Sequence, residues 1–329
     1  MILTAALIAL ACGVSETAVP TAPASRTVLF TYAVDVPAVE GDAPVELFLP
    51  IPVSDPHQDI TALELASPVS GAFSTEARFG NRYWHATLPA QVLPTQVVLS
   101  FRATRRAKQV DLSLAGRRSL TKTERAEYAR DLAPSARVPV GEIEVLGPLL
   151  TDVRAARTDD SPGATSRAIY DWVSTNMEYK KTGTGWGNGD TFWACSQRYG
   201  NCTDFHSVFL SLARTEGIPA RFEMGFPVPL DRNEGTIAGY HCWVQFWLPD
   251  AGWIPIDASE AAKHPDRIDA FYGSQPADRV RFTTGRDLRL GELHRGPALN
   301  YFIYPYAERD GVPWTVKLVT AVSYRAANL

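Results

Sequence analysis

Arg198-Tyr199-Gly200-Asn201-Cys202-Thr203-Asp204-Phe205, running into Val208-Phe209-Leu210-Ser211-Leu212-Ala213, is the stretch on which the fold turns. Gly200-Asn201 has turn chemistry, and Asn201 or Thr203 can cap a helix by accepting a backbone N–H of its first turn. Phe205, Val208, Phe209, Leu212 and Ala213 recur at helical period, and Gly217-Ile218-Pro219 ends the run with a capping glycine and a proline beyond it. The pattern predicts a helix that opens near Cys202. A thiol in that first turn meets unpaired N–H groups and the positive end of the helix dipole, and both favour the nucleophilic thiolate.

Strand signals follow. Residues 220–226 alternate, a Pro- and charge-rich loop covers 227–238, and strands are expected over 243–247 and 253–256, with Pro249-Asp250-Ala251-Gly252 as the turn. His241 stands eight residues before Pro249 and Asp257 eight after it. A hairpin centred on Pro249 sets the two opposite each other on one face of the sheet. A one-residue slip would send them to opposite faces. Thiol, imidazole and carboxylate in this order suit a nucleophile, a base and the acid that orients the base.

Three matches together resemble the transglutaminase-like superfamily, whose core is papain-like. They are Gly200-x-Cys202 with Asp204, followed by Gly217-Ile218-Pro219-Ala220-Arg221; Tyr240-His241-x-Trp243; and Gly252-Trp253-x-Pro255-x-Asp257. The resemblance implies an α+β fold in which the Cys202 helix packs on an antiparallel sheet behind a small β-sandwich domain. It also implies Cys202 as nucleophile, His241 as base and Asp257 as orienting acid. The expected organisation is a tether or export signal over 1–26, a β-sandwich over 27–112, a core with leading helices over 113–262, and a strand-rich extension packed on the core over 263–329. Peptidases, amidases, protein cross-linkers and inactive members share this scaffold, so the fold does not choose a substrate. A peptide, protein or peptidoglycan-type amide is the expected partner, with no cofactor. A surface binding or assembly module without turnover is the rival reading.

The formal charge of −4 on 329 residues gives no basic field of the kind nucleic-acid binding requires. Arg105, Arg106 and Lys108 read as a solvated strand end. Residues 2–11 are apolar and too short to span a membrane. They read as the apolar part of an export signal. Cys12 directly after Leu10-Ala11 resembles a bacterial lipoprotein site, so a periplasmic or lipid-anchored location is expected. If Cys12 carries lipid, Cys195, Cys202 and Cys242 remain. Either Cys195 pairs with Cys242 and leaves Cys202 free, or both are small buried thiols.

Residues 27–110 alternate in short runs, as a small sandwich would. Helices are expected over 122–132, 143–157 and 161–177, and strands over 299–304 and 316–319. Gly183 to Gly189 lacks the Lys-Ser/Thr of a phosphate loop and reads instead as a loop that brings Trp186 near the cleft. Trp186, Trp193 and Trp243 are candidates to line that cleft, and Gln197 or Ser196 to donate to an oxyanion beside the Cys202 amide. Asp204 is expected to support the helix start rather than to catalyse. His206, four residues after Cys202, shares its helix face. Without CxxC or HExxH no metal is expected.

Overall fold

The computed structural model describes residues 24–113 and 115–327, so the expected export segment and Cys12 lie outside the described residues. In Ser25–Val36, Val28, Phe30, Tyr32, Val34 and Val36 are buried and the residues between them are not. This is the two-residue period of a half-buried strand. That strand is central in a five-stranded antiparallel sheet ordered Glu234–Thr236, Val319–Ala326, Ser25–Val36, Thr95–Arg106, Gln58–Ala66. A second five-stranded sheet runs Val312–Pro313, Tyr306–Arg309, Val45–Ile51, Arg82–Leu88, Ala72–Thr75.

The segment after 263, read from sequence as one extension packed on the core, is divided. Arg279–Thr284 extends the core sheet, whereas Tyr306–Arg309 pairs with Val45–Ile51 and Val319–Ala326 with Ser25–Val36. The two returning strands cover edges that Val45–Ile51 and Ser25–Val36 would otherwise leave open.

The core sheet has four antiparallel strands, ordered Gly252–Ile256, His241–Leu248, Ala220–Pro227, Arg279–Thr284. The Cys202–Thr215 helix lies against it, and every residue from Cys202 to Arg214 is buried. Each fully buried Phe, Leu or Val contributes about 1.5–3 kcal/mol. With Phe205, Val208, Phe209, Leu210 and Leu212 all inside, packing rather than propensity holds this helix. Its end follows the expectation. Gly217 turns left-handed at φ 76°, its N–H bonds Arg214 O at 3.1 Å, and Ile218 N–H bonds Ala213 O at 2.8 Å. These are the two bonds of a Schellman motif.

Aromatic rings join the core to the N-terminal sheet. Phe30 stacks on Phe101 at 5.0 Å and meets Phe226 and Phe282 at 5.8 and 5.7 Å. At Gly225 the core strands come so close that a Cβ would stand 1.9 Å from Val280 O.

Several elements differ from the expected spans. The helix expected over 143–157 is Gly147–Ala156, because Pro148 belongs in a first turn, not in an interior. Residues 122–132 form two short helices, Lys122–Glu127 and Ala129–Leu132, that break at Tyr128. The third begins as expected, with the Ser161 side chain accepting Ala164 N–H and Pro162 in the first turn of Pro162–Asn176. Residues 299–304 are not a strand. They turn toward the Cys202 end of the core, where Asn300 Nδ2 donates to Asn188 O at 2.7 Å and Tyr301 OH to Gly187 O at 3.2 Å.

Candidate active site

Of the two expected caps, Asn201 is the one used. Its side-chain oxygen accepts Thr203 N–H at 2.9 Å, and the Asp204 carboxylate accepts Asn201 N–H at 2.9 Å. This reciprocal capping box makes Cys202 the first helical residue. Asp204 does more. Its two oxygens also accept Gly187 N–H at 2.7 Å and Gly189 N–H at 2.9 Å. Burial pushes this carboxyl up, and the three amides pull it back. The glycine-rich loop is therefore bound to the start of the helix. Arg286, itself buried, holds the same loop, donating to Gly189 O at 2.7 Å and Asn188 O at 3.1 Å.

The hairpin that carries His241 is centred on Asp250, not Pro249: Leu248 faces Gly252 and Val244 faces Ile256. The two-residue shift preserves parity, so His241 and Asp257 still share a face. His241 Nε2 lies 2.5 Å from Asp257 Oδ2. Asp257 is also the N-cap of Ala258–Lys263, and its Oδ1 accepts Glu260 N–H at 3.0 Å and Ser259 Oγ at 2.8 Å. Behind it Arg279 donates from Nη2 at 3.5 Å. Burial alone would raise the Asp257 carboxyl. The charges of His241, His206 and Arg279 outweigh it and hold the group far below the ordinary carboxylate range.

Burial pushes the His241 ring down. The charge and hydrogen bond of Asp257, with help from Cys202, overcome that and bring it up to about 9. Burial likewise pushes the Cys202 thiol up. The neighbouring Cys242 thiol and His241 ring, and the charges of His241 and His206, hold it well below its ordinary value. The environment thus favours a thiolate beside an imidazolium. Cys202 is 2 % exposed. The Tyr179, Tyr240 and Tyr304 hydroxyls lie within reach of its charge: burial raises all three, and the charge on Cys202 raises them further.

Cys195, Cys202 and Cys242 are all free and buried, so the bridge weighed between Cys195 and Cys242 is not formed. Cys242 instead faces the Cys202 helix. Its Sγ lies 3.4 Å from His206 Nδ1, and burial with the adjacent Cys202 keeps it a protonated thiol. His206 Nε2 is buried without a hydrogen-bond partner, 3.7 Å from Asp257 Oδ1. Arg279, Arg286 and Cys242 were not singled out for the site from sequence. Only Cys242, adjacent to His241, carried a local signal.

The remaining candidates scatter. Trp243 is buried and its indole donates to Glu223 Oε2 at 2.6 Å, a packing role on the core sheet. Ser196 and Gln197 are exposed at the end of Thr191–Gln197. Ser196 Oγ bonds Trp193 O at 2.9 Å, and Gln197 Nε2 bonds Ser196 Oγ at 3.3 Å, so both turn onto their own helix. Trp193 is half-buried against Tyr199 and Gly185, and Trp186 is half-buried on the glycine-rich loop. Among the described residues, the grouping with metal-ligand geometry is His241, Asp257 and Glu260. A cation there would compete with the His241–Asp257 bond.

With this geometry in place, residues 150–258 match the family model of the transglutaminase-like superfamily, and the chain carries a transglutaminase-like core. A protein of Haemophilus influenzae is 26% identical over 324 residues, covering 86% of each chain. A crystal structure of a candidate cysteine protease from Cytophaga hutchinsonii shares the fold: TM-score 0.61, 16% identity, 93% of this chain and 92% of that one. The periplasmic domain of TgpA from Pseudomonas aeruginosa aligns more distantly, with a TM-score of 0.37 and 16% identity over 74% of this chain and 93% of that one.

Proposed function

We propose that the protein is a cysteine-dependent amide hydrolase or acyltransferase, with Cys202 as nucleophile, His241 as base and Asp257 as orienting acid. The observation that carries this reading is the 2.5 Å bond from His241 Nε2 to a charged Asp257, beside a thiol on the first residue of a helix. With Nε2 engaged by the acid, Nδ1 is the ring nitrogen left to exchange a proton with sulfur. The thiolate adds to the amide carbonyl carbon. The C–N bond then breaks as the His241 imidazolium gives its proton to the departing amine, leaving a thioester on Cys202. Neutral His241 next takes a proton from water or from an acceptor amine, whose attack on the thioester releases the acid or the new amide and restores the thiolate. The Cys202 backbone N–H supplies one donor to the oxyanion. Water is the default acceptor, because an amine prevails only where a site excludes water.

The 2 % exposure of Cys202 favours the rival, a binding module without turnover. Iodoacetamide at mildly acidic pH separates the two. Turnover chemistry requires rapid labelling of Cys202, identified by peptide mass and lost in His241→Ala. Labelling no faster than that of N-acetylcysteine assigns the protein to the binding class. The apolar run before Cys12 supports an exported, lipid-anchored location, and the substrate class that goes with the proposed chemistry is a peptide or peptidoglycan-type amide. The intact mass of protein recovered from cell membranes tests the anchor: a diacylglyceryl adduct on a chain starting at Cys12 supports it, and an unmodified chain starting at Met1 contradicts it.

A further inference from the structure

Next to the His241 strand lies a groove of ≈ 670 Å³ whose walls include Ala238, Tyr304, Tyr306, Trp314, Val316 and Val319. Its size is in the range of small-molecule and side-chain pockets, about 300–1,000 Å³. Among its lining residues Lys317 is the sole charge. Val316 is 46% exposed and Val319 58% exposed, so apolar surface stands open in a place where isolated exposed residues would not cluster.

Tyr304 ties the groove to the Cys202 site: it lines the groove and packs on Tyr240, the residue before His241. Ala238 is separated from His241 only by Gly239 and Tyr240. The Tyr304 and Tyr240 rings meet edge-on at 5.8 Å, and the charge on Cys202 reaches the Tyr304 hydroxyl and helps to raise it. The Tyr240 hydroxyl in turn accepts Asn201 Nδ2 at 3.1 Å, on the residue that caps the Cys202 helix. An extended chain held at Cys202 and leaving across Tyr240 would bring a neighbouring side chain to this opening.

We propose that the groove is a substrate subsite for an apolar side chain, aromatic or branched aliphatic, flanking the scissile amide. This rests on the reading of Cys202 as the nucleophile. Much of the wall comes from residues 304–320, which follow the matched core segment 150–258. Side-chain preference is therefore set by chain outside that segment.

Epoxysuccinyl diamides test the proposal, because their two arms sample both sides of the reacting carbon. The thiolate forms a C–S bond as the epoxide C–O bond opens, and the alkoxide takes the proton of His241. One arm and then the other carries phenylalanine, leucine, glycine or glutamate, and labelling of Cys202 is followed by intact mass. On one arm, phenylalanine or leucine is expected to label about tenfold faster than glycine. Val316→Asp should reduce that preference to about twofold or less, and Val316→Leu should keep it. The iodoacetamide rate should be equal in all three proteins. Equal rates for every side chain on both arms, or a preference that survives Val316→Asp, overturns the subsite. A different result, iodoacetamide labelling no faster than a model thiol and indifferent to His241→Ala, overturns the nucleophile itself.

Discussion

Asp257→Asn removes one charge and replaces the Oδ2 acceptor that faces His241 Nε2 and Arg279 Nη2 with an N–H₂ donor. Asparagine is as good an N-cap as aspartate, so the bond from Glu260 N–H that starts Ala258–Lys263 can persist. What disappears is the group that overcomes the burial of His241. Without it, burial and the nearby Arg279 both push the ring down. The ring then falls from about 9 to its ordinary value of about 6.5 or lower. That is at least about 2.5 pKa units, or about 3 kcal/mol of lost preference for the imidazolium. Near neutral pH the charged ring drops from almost fully populated to about a quarter or less, and the Cys202 thiolate loses its partner. The second-order rate of iodoacetamide labelling, measured from about pH 5 to about pH 9, should fall by about 10²-fold on the acidic side. Its midpoint should move toward that of an ordinary buried thiol, while the thermal transition shows a folded protein. Superimposable profiles for the two proteins would refute the claim that Asp257 sustains the ion pair.

Four further outcomes are expected. Cys242→Ala removes a neighbouring thiol that lowers the Cys202 thiol, so the labelling midpoint should rise, with a stability loss of about 1 kcal/mol in urea. Asp204→Asn sets an amide N–H₂ against backbone donors now bound by a carboxylate. It should cost about 2–3 kcal/mol and open residues 183–189 to limited proteolysis. Gly225→Ala drives a methyl group into Val280 O, 1.9 Å away, and should destabilise by about 3 kcal/mol or more in thermal unfolding. The fourth concerns stability against pH. His241 is raised to about 9, so its contribution is complete below its unfolded value of about 6.5 and is lost as pH rises through about 9. Cys202 is depressed, so its contribution grows over the same window toward its unfolded value, and the two offset each other. The urea midpoint should be flat there in the wild type and should decline with rising pH in Cys202→Ser, where only the His241 contribution remains.

Much of the site was legible because its signals are local. Helical periodicity, Gly217 and the Gly200-Asn201 turn were enough to place Cys202 in the first turn of its helix, and the structure makes it the first residue. The strand alternation around residues 241–257 carried the face shared by His241 and Asp257, and parity made that inference tolerant of a turn centre misplaced by one residue. The return of residues 306–326 to the N-terminal sheets was not legible. Edge pairing joins segments hundreds of residues apart, such as Val28 with Ala326, and leaves no mark in either. Arg279 and Arg286 were missed for the same reason. Each acts on a partner far along the chain, Asp257 for one and the 188–189 carbonyls for the other. Gln197 and Ser196 were named for nearness in sequence, whereas helix geometry turns them onto their own last turn.

Ultraviolet absorbance of the thiolate, titrated as the difference between wild type and Cys202→Ser, reads the state of this sulfur directly. A midpoint well below the ordinary cysteine value, moved upward by His241→Ala, is the predicted result. A midpoint at or above that value would show a thiol governed by its apolar burial, and the ion pair at the centre of this account would not exist.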